Sequence, residues 1–244
     1  MSDNGPTPES LRTVKVRTSA SHPLRIDALE AGEAGGLIGI TFCPGKSGPS
    51  QEGHEWRRDL GADLAVVAQW RAAAVVTLIE DHEFQMLGVE GLGKAVTALG
   101  MQWHHLPIKD VHAPDSRFDI AWKAVGPALV EILQSGGRVL VHCRGGLGRA
   151  GTVGARLLID MGEQPQAAIN RIRAARVGAI ETQDQARYLL NLPVRPNEVP
   201  RQVASKPYSK PKPSWFTDLA GFDEDTGPGG YEWPLVVSCG TQQS

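Results

Sequence analysis

Cys143 and Arg149, with Gly145, Gly146 and Gly148 between them, are residues whose types and spacing could do chemistry together. Bare glycine positions let successive backbone N–H groups turn inward, and such a nest binds a tetrahedral oxyanion. An apolar-periodic helix starts at Arg149 (Val153, Leu157, Met161), so its positive N-terminal end adds to the nest. The same field favours a thiolate over a thiol, which would set a sulfur nucleophile beside a bound oxyanion. Arg149 could chelate two oxygens of that anion through its planar fork, a geometry that lysine cannot copy. His142, Arg144 and Leu147 complete the loop. His142 is expected to support the loop by hydrogen bonding, because a thiolate needs no base.

A nucleophile held this way needs a rigid strand before it and a helix after it. Val139, Leu140 and Val141 predict a short buried strand that stops at Cys143. Further strands are expected at Leu37–Phe42, Ala73–Ile79 and Met101–Ile108. Helices are expected at Trp56–Trp70, Leu92–Leu99 and Phe118–Ile132, from Pro165, and from Thr182 to Leu192. This alternation predicts an α/β fold, with a central, mainly parallel sheet covered by helices on both faces. Ligands of open parallel sheets bind beyond the carboxyl ends of the strands. Four loops converge there, carrying Lys46, Glu80–Glu83, Asp110 and Cys143–Arg149. Lys46 and Glu83 are either plain loop charges or substrate contacts at the rim. PGKS at 44–47 is not a phosphate loop of the Walker type, since Ile40 stands where that motif needs glycine.

The 244 residues carry a net charge of -2, which gives no electrostatic case for nucleic acid or an anionic membrane as the main partner. Three cysteines at unrelated spacings indicate neither a disulfide framework nor a zinc ribbon. The histidines have no metal-ligand spacing, so no metal is expected. No apolar run is long enough for a membrane span, and a cytoplasmic protein is expected. The expected organisation is a mobile leader at 1–24, a domain at 25–192 and a Pro-rich tail at 193–244. The aromatic end of that tail is expected to pack on the domain or to dock a partner.

His142, Cys143, Gly146 and Arg149 resemble the cysteine-dependent phosphatase signature, His-Cys-x-x-Gly-x-x-Arg. The segments GITFCPGK, TLIEDHEF, LPIKD and AIETQDQARYL extend the likeness over about residues 25–192. They resemble the kinase-associated phosphatase (cyclin-dependent kinase inhibitor 3-like) branch of the dual-specificity phosphatases. The resemblance implies a protein-tyrosine-phosphatase-like fold, no cofactor and a phosphorylated protein as partner. It also implies hydrolysis of phosphotyrosine, and of phosphoserine or phosphothreonine, through a phosphocysteine. Asp110 matches the general acid of the family's mobile loop, and Asp115 is the second choice.

Two positions depart from the family. Ala150 stands where relatives carry a hydroxyl that supports the departing thiolate, leaving Thr152 as the nearest substitute. Glu181 stands where relatives often carry Gln, leaving Gln185 to position water or simply to close a capping box with Thr182. Without that hydroxyl the chain could be a phosphate-dependent binding module. The same loop would also suit a phosphoinositide or an RNA 5′-phosphate. The sequence is silent on oligomeric state.

Overall fold

The computed structural model describes residues 15–50 and 53–194. In chain order the strands are β1 (Val16–Arg17), β2 (Asp27–Ala31), β3 (Gly36–Phe42), β4 (Ser47–Pro49), β5 (Glu55–Arg57), β6 (Ala74–Thr77), β7 (Gln102–His105) and β8 (Arg138–Cys143). The helices are α1 (Leu60–Gln69), α2 (Asp81–Leu87), α3 (Leu92–Ala98), α4 (Ser116–Gln134), α5 (Gly148–Asp160), α6 (Pro165–Ala175) and α7 (Gln183–Leu190). The main sheet runs β2-β3-β8-β6-β7 and is parallel except for β2, which joins β3 antiparallel. The expected α/β architecture is therefore present, with one antiparallel edge that the sequence did not announce.

The strands sort their side chains by period two. Val139, Val141 and Cys143 of β8 face a core shared with α4, α5 and α6, whereas Leu140 faces the opposite core, beside Leu64 and Val67 of α1 and Leu92 and Val96 of α3. Strand β8 is thus buried on both faces, and its carboxyl end carries the cysteine. Within the matched register Phe42 of β3 lies opposite Cys143, and Thr77 of β6 opposite His142.

Four expectations are corrected. Trp56 belongs to strand β5, not to a helix. The helix begins at Leu60 because the Asp59 side chain accepts the Ala62 N–H at 2.6 Å and caps it. Residues 80–84 are not a loop but the start of α2, where Glu80 and Glu83 form a capping box. Strand β7 is shorter than expected, with Pro107 just beyond it, although Leu106 and Ile108 still donate to the carbonyls of Thr77 and Leu78. Order also begins before Leu24, since β1 pairs with β5 in a small second sheet, β1-β5-β4. The tail beyond residue 194 lies outside the described residues, and no described helix is long and apolar enough to cross a membrane.

Candidate active site

The loop between β8 and α5 is shaped from outside, through its carbonyls. Arg144 O accepts the Cys43 N–H at 3.4 Å and Lys46 Nζ at 3.3 Å. Arg176, the residue after α6, donates Nη2 to Gly145 O at 3.2 Å and Nε to Gly146 O at 2.5 Å, and also pairs with Asp27 on β2. Leu147 O accepts the Gly151 N–H at 2.8 Å. With the carbonyls drawn outward, the Gly146 N–H turns toward the cysteine and reaches Cys143 Sγ at 3.2 Å. Gly146 itself has φ +71°, and a Cβ there would lie 2.4 Å from the Thr41 carbonyl carbon of β3, so only glycine fits. Cys143 is 3% exposed at the head of α5.

Arg149 lies under the loop, 2% exposed. Glu83 grips it from α2, with Oε2 at 2.5 Å from Nη1 and Oε1 at 3.0 Å from Nη2, and the carbonyl of Ile108 accepts Nη1 at 3.1 Å. Glu83 is therefore not a rim residue, because the α2 capping box turns it inward, where it is 1% exposed. Burial disfavours its charge, but the hydrogen bonds from Arg149 and the Glu80 amide outweigh burial and hold the carboxyl below its usual range. The Arg149 Nε is buried without a hydrogen-bond partner. A bound oxyanion would supply that partner.

Lys46 is corrected in the same sense. It is 8% exposed, with Nζ 4.5 Å from the centre of the Phe42 ring and 4.6 Å from that of Trp56, so it braces the loop from behind. Burial pushes its ammonium down to about 8. His142 is fully buried, and its Nε2 meets the Thr77 hydroxyl at 2.8 Å, while that hydroxyl accepts Trp103 Nε1–H at 2.9 Å. The chain Trp103–Thr77–His142 fixes the orientation of the imidazole ring. Burial pushes the imidazole down to about 4.

Asp110 is brought to the site. Its Oδ1 lies 2.8 Å from Arg149 Nη2, and its own amide donates to Glu80 Oε2 at 3.2 Å. Gln185, fully buried in α7, donates Nε2 to the His112 carbonyl at 3.2 Å, so α7 holds the loop that carries Asp110 while also closing its capping box with Thr182. Asp115 is elsewhere engaged, as the N-cap of α4 that accepts from the amides of Arg117 and Phe118, and it is paired with Arg117. Thr152 donates its hydroxyl to Gly148 O at 2.8 Å, so its proton is committed to the helix backbone. Arg176 escaped sequence reasoning altogether. So did a cavity of about 610 Å³ on the flank of the Asp110 loop, lined in part by Glu80, Pro107, Lys109, His112 and Phe118.

The geometry agrees with comparisons to known proteins. The model of a family described as "PTP-SAK: Swiss Army Knife protein, DSP-PTPase phosphatase domain" matches residues 57–189. Cyclin-dependent kinase inhibitor 3 of Rattus norvegicus is 39% identical over 93 residues, which are 37% of this chain and 42% of that protein. The Mus musculus protein of the same name is 31% identical over 136 residues, or 54% of this chain and 63% of that protein. The match thus spans less than two thirds of these relatives. A crystal structure of kinase associated phosphatase, with serine in place of its catalytic site cysteine, is 26% identical with a TM-score of 0.59. It covers 68% of this chain and 92% of that one. Sequence motif, family match and structural likeness agree, and the chain belongs to the DSP-PTPase phosphatase-domain family, on the side of the kinase-associated phosphatases.

Proposed function

We propose that the chain is a protein phosphatase that hydrolyses phosphotyrosine, and also phosphoserine and phosphothreonine, through a phosphocysteine. The observation that carries this is the pair of opposed contacts on the loop. Gly146 N–H points at Cys143 Sγ, and Arg149 lies beneath with Nε unpartnered and Nη2 bound only to carboxylates. A phosphate monoester repels nucleophiles with its own charge, which the loop amides and Arg149 neutralise. Cys143 Sγ then forms a bond to phosphorus in line as the ester P–O bond breaks. When phosphoryl oxygens take over Arg149, Asp110 loses its ion-pair partner, takes up a proton from solvent and gives it to the leaving oxygen. In the second half Asp110 takes a proton from water, the water oxygen bonds to phosphorus, the S–P bond breaks, and inorganic phosphate leaves.

Cys143→Ser should reduce hydrolysis of an aryl phosphate to background with the fold intact by circular dichroism. Asp110→Ala should slow it by about 10² to 10⁴, most for the poorest leaving groups. Undiminished turnover by the serine variant would sink the proposal.

A second proposal has its own observation. Ala150 offers no hydroxyl to the sulfur, and the Thr152 proton is spent on Gly148 O. A burst of one product equivalent with negligible later turnover would make the chain a phosphate-dependent binding module.

A further inference from the structure

The nest already holds a charge of the chain's own. Gly148, the first residue of α5, donates its N–H to Glu181 Oε2 at 2.7 Å, whereas the N-cap residue Leu147 caps nothing with its side chain. A Cβ on Gly148 would come within 2.3 Å of Glu181 Oε2 and 2.9 Å of Gln185 Nε2, so both side chains close over this bare position. Ile180, immediately before Glu181, has φ +59°, and Val111, immediately after Asp110, has φ +63°. β-branched residues rarely adopt such angles. Two of the carboxylates that reach the oxyanion's contacts, Glu181 on the Gly148 amide and Asp110 on Arg149, thus each adjoin a strained residue.

We propose that Glu181 is an internal competitor for the oxyanion, a residue that sets the affinity of the nest by occupying one of its amides with a negative charge. This rests on the nest being the site for a phosphoryl group, as proposed above. A tetrahedral dianion that uses the Gly148 amide must displace a carboxylate, and one that leaves it in place must sit beside a like charge. The backbone that carries Glu181 is held in place from α6, where Arg173 donates Nη2 to the Ile180 carbonyl at 3.1 Å. Glutamine at 181 would keep an oxygen acceptor for Gly148 N–H and remove only the charge, which separates competition from capping.

The test uses the full chain and measures tungstate binding by calorimetry at fixed pH and ionic strength, with aryl phosphate kinetics alongside. Glu181→Gln should bind tungstate about three- to tenfold tighter, with KM lowered by a similar factor and kcat little changed. Glu131→Gln makes the same charge change on exposed Glu131, at the last turn of α4, and should alter neither. Should Glu181→Gln fold poorly, Glu181→Ala serves, since it removes the competitor outright. Unchanged or weaker tungstate binding in a folded Glu181 variant overturns the inference and makes Glu181 a helix cap only. Wild-type turnover with no tungstate response sinks this inference alone. A tungstate response without turnover in any variant sinks the phosphatase proposal and leaves the competitor standing.

Discussion

Two neighbouring strand ends, those of β3 and β8, make an instructive pair. Both strands run parallel, end within one register step of each other, and close with a cysteine followed by a glycine-containing loop. Both cysteines are shielded from solvent, Cys43 at 0% and Cys143 at 3% exposure. Their sulfurs nevertheless behave with opposite polarity. Cys43 faces the α1 and α3 core, points its thiol at the Pro44 carbonyl 3.7 Å away, and is pushed strongly up by burial. Cys143 faces the other core and accepts an N–H from Gly146. Burial alone therefore yields an inert thiol. The Cys143 sulfur differs in that the loop's carbonyls are pulled away and the Gly146 amide is left to it.

The contrast can be broken most sharply by alkylation. Iodoacetamide should modify Cys143 faster than Cys43 by about 10² or more in peptide mapping, which also resolves Cys239. Cys43→Ala should keep aryl phosphate turnover within about threefold of wild type. Equal labelling of the two would erase the distinction. A smaller effect is expected at the clamp beneath the loop. Glu83→Gln removes the charge opposite Arg149 and should lower kcat/KM by about tenfold to a hundredfold and stability by about 1–3 kcal/mol. A lowered melting temperature with unchanged kinetics would reduce Glu83 to a packing role.

The last prediction leaves activity aside and concerns stability, at His142 beneath the strand end that carries Cys143. Its imidazole is held at about 4 in the folded chain, against 6.5 for the ordinary group. Between those values the unfolded chain binds a proton that the folded one refuses. Stability is therefore full above pH 6.5 and falls as pH drops toward 4, by on the order of 3 kcal/mol. Urea midpoints measured across that window should show this slope in the wild type and lose it in His142→Gln.

The chemistry was legible where it is local. Strand, cysteine, glycines, arginine and helix are contiguous from Arg138 to Asp160, so spacing alone assembled them. Asp110 came from resemblance, and the structure adds its contact with Arg149. Glu83 was misjudged because the run Glu80-Asp81-His82-Glu83 has no apolar period, although its capping box was a readable signal. Trp56 was drawn into a helix because it sits four residues before Leu60, and only Asp59 sets the true start. Arg176 was invisible for a different reason: its partners lie 30, 31 and 149 residues away in the chain, and no local pattern encodes such contacts. Thr152 and Lys46 show that proximity in sequence does not say which way a donor turns.

The brace on the loop also says how much chain the catalytic machinery needs. Arg176 is anchored by Asp27, and Gly146 lies against the backbone of Thr41, so two of the loop's supports come from the hairpin of β2 and β3. Both lie upstream of the segment 57–189 that carries the family signature. A protein trimmed to that segment would keep Cys143, Arg149 and Asp110, yet lose the wall they are built against. The minimal working unit of this phosphatase fold is set by the hairpin, not by the edges of the recognisable motif.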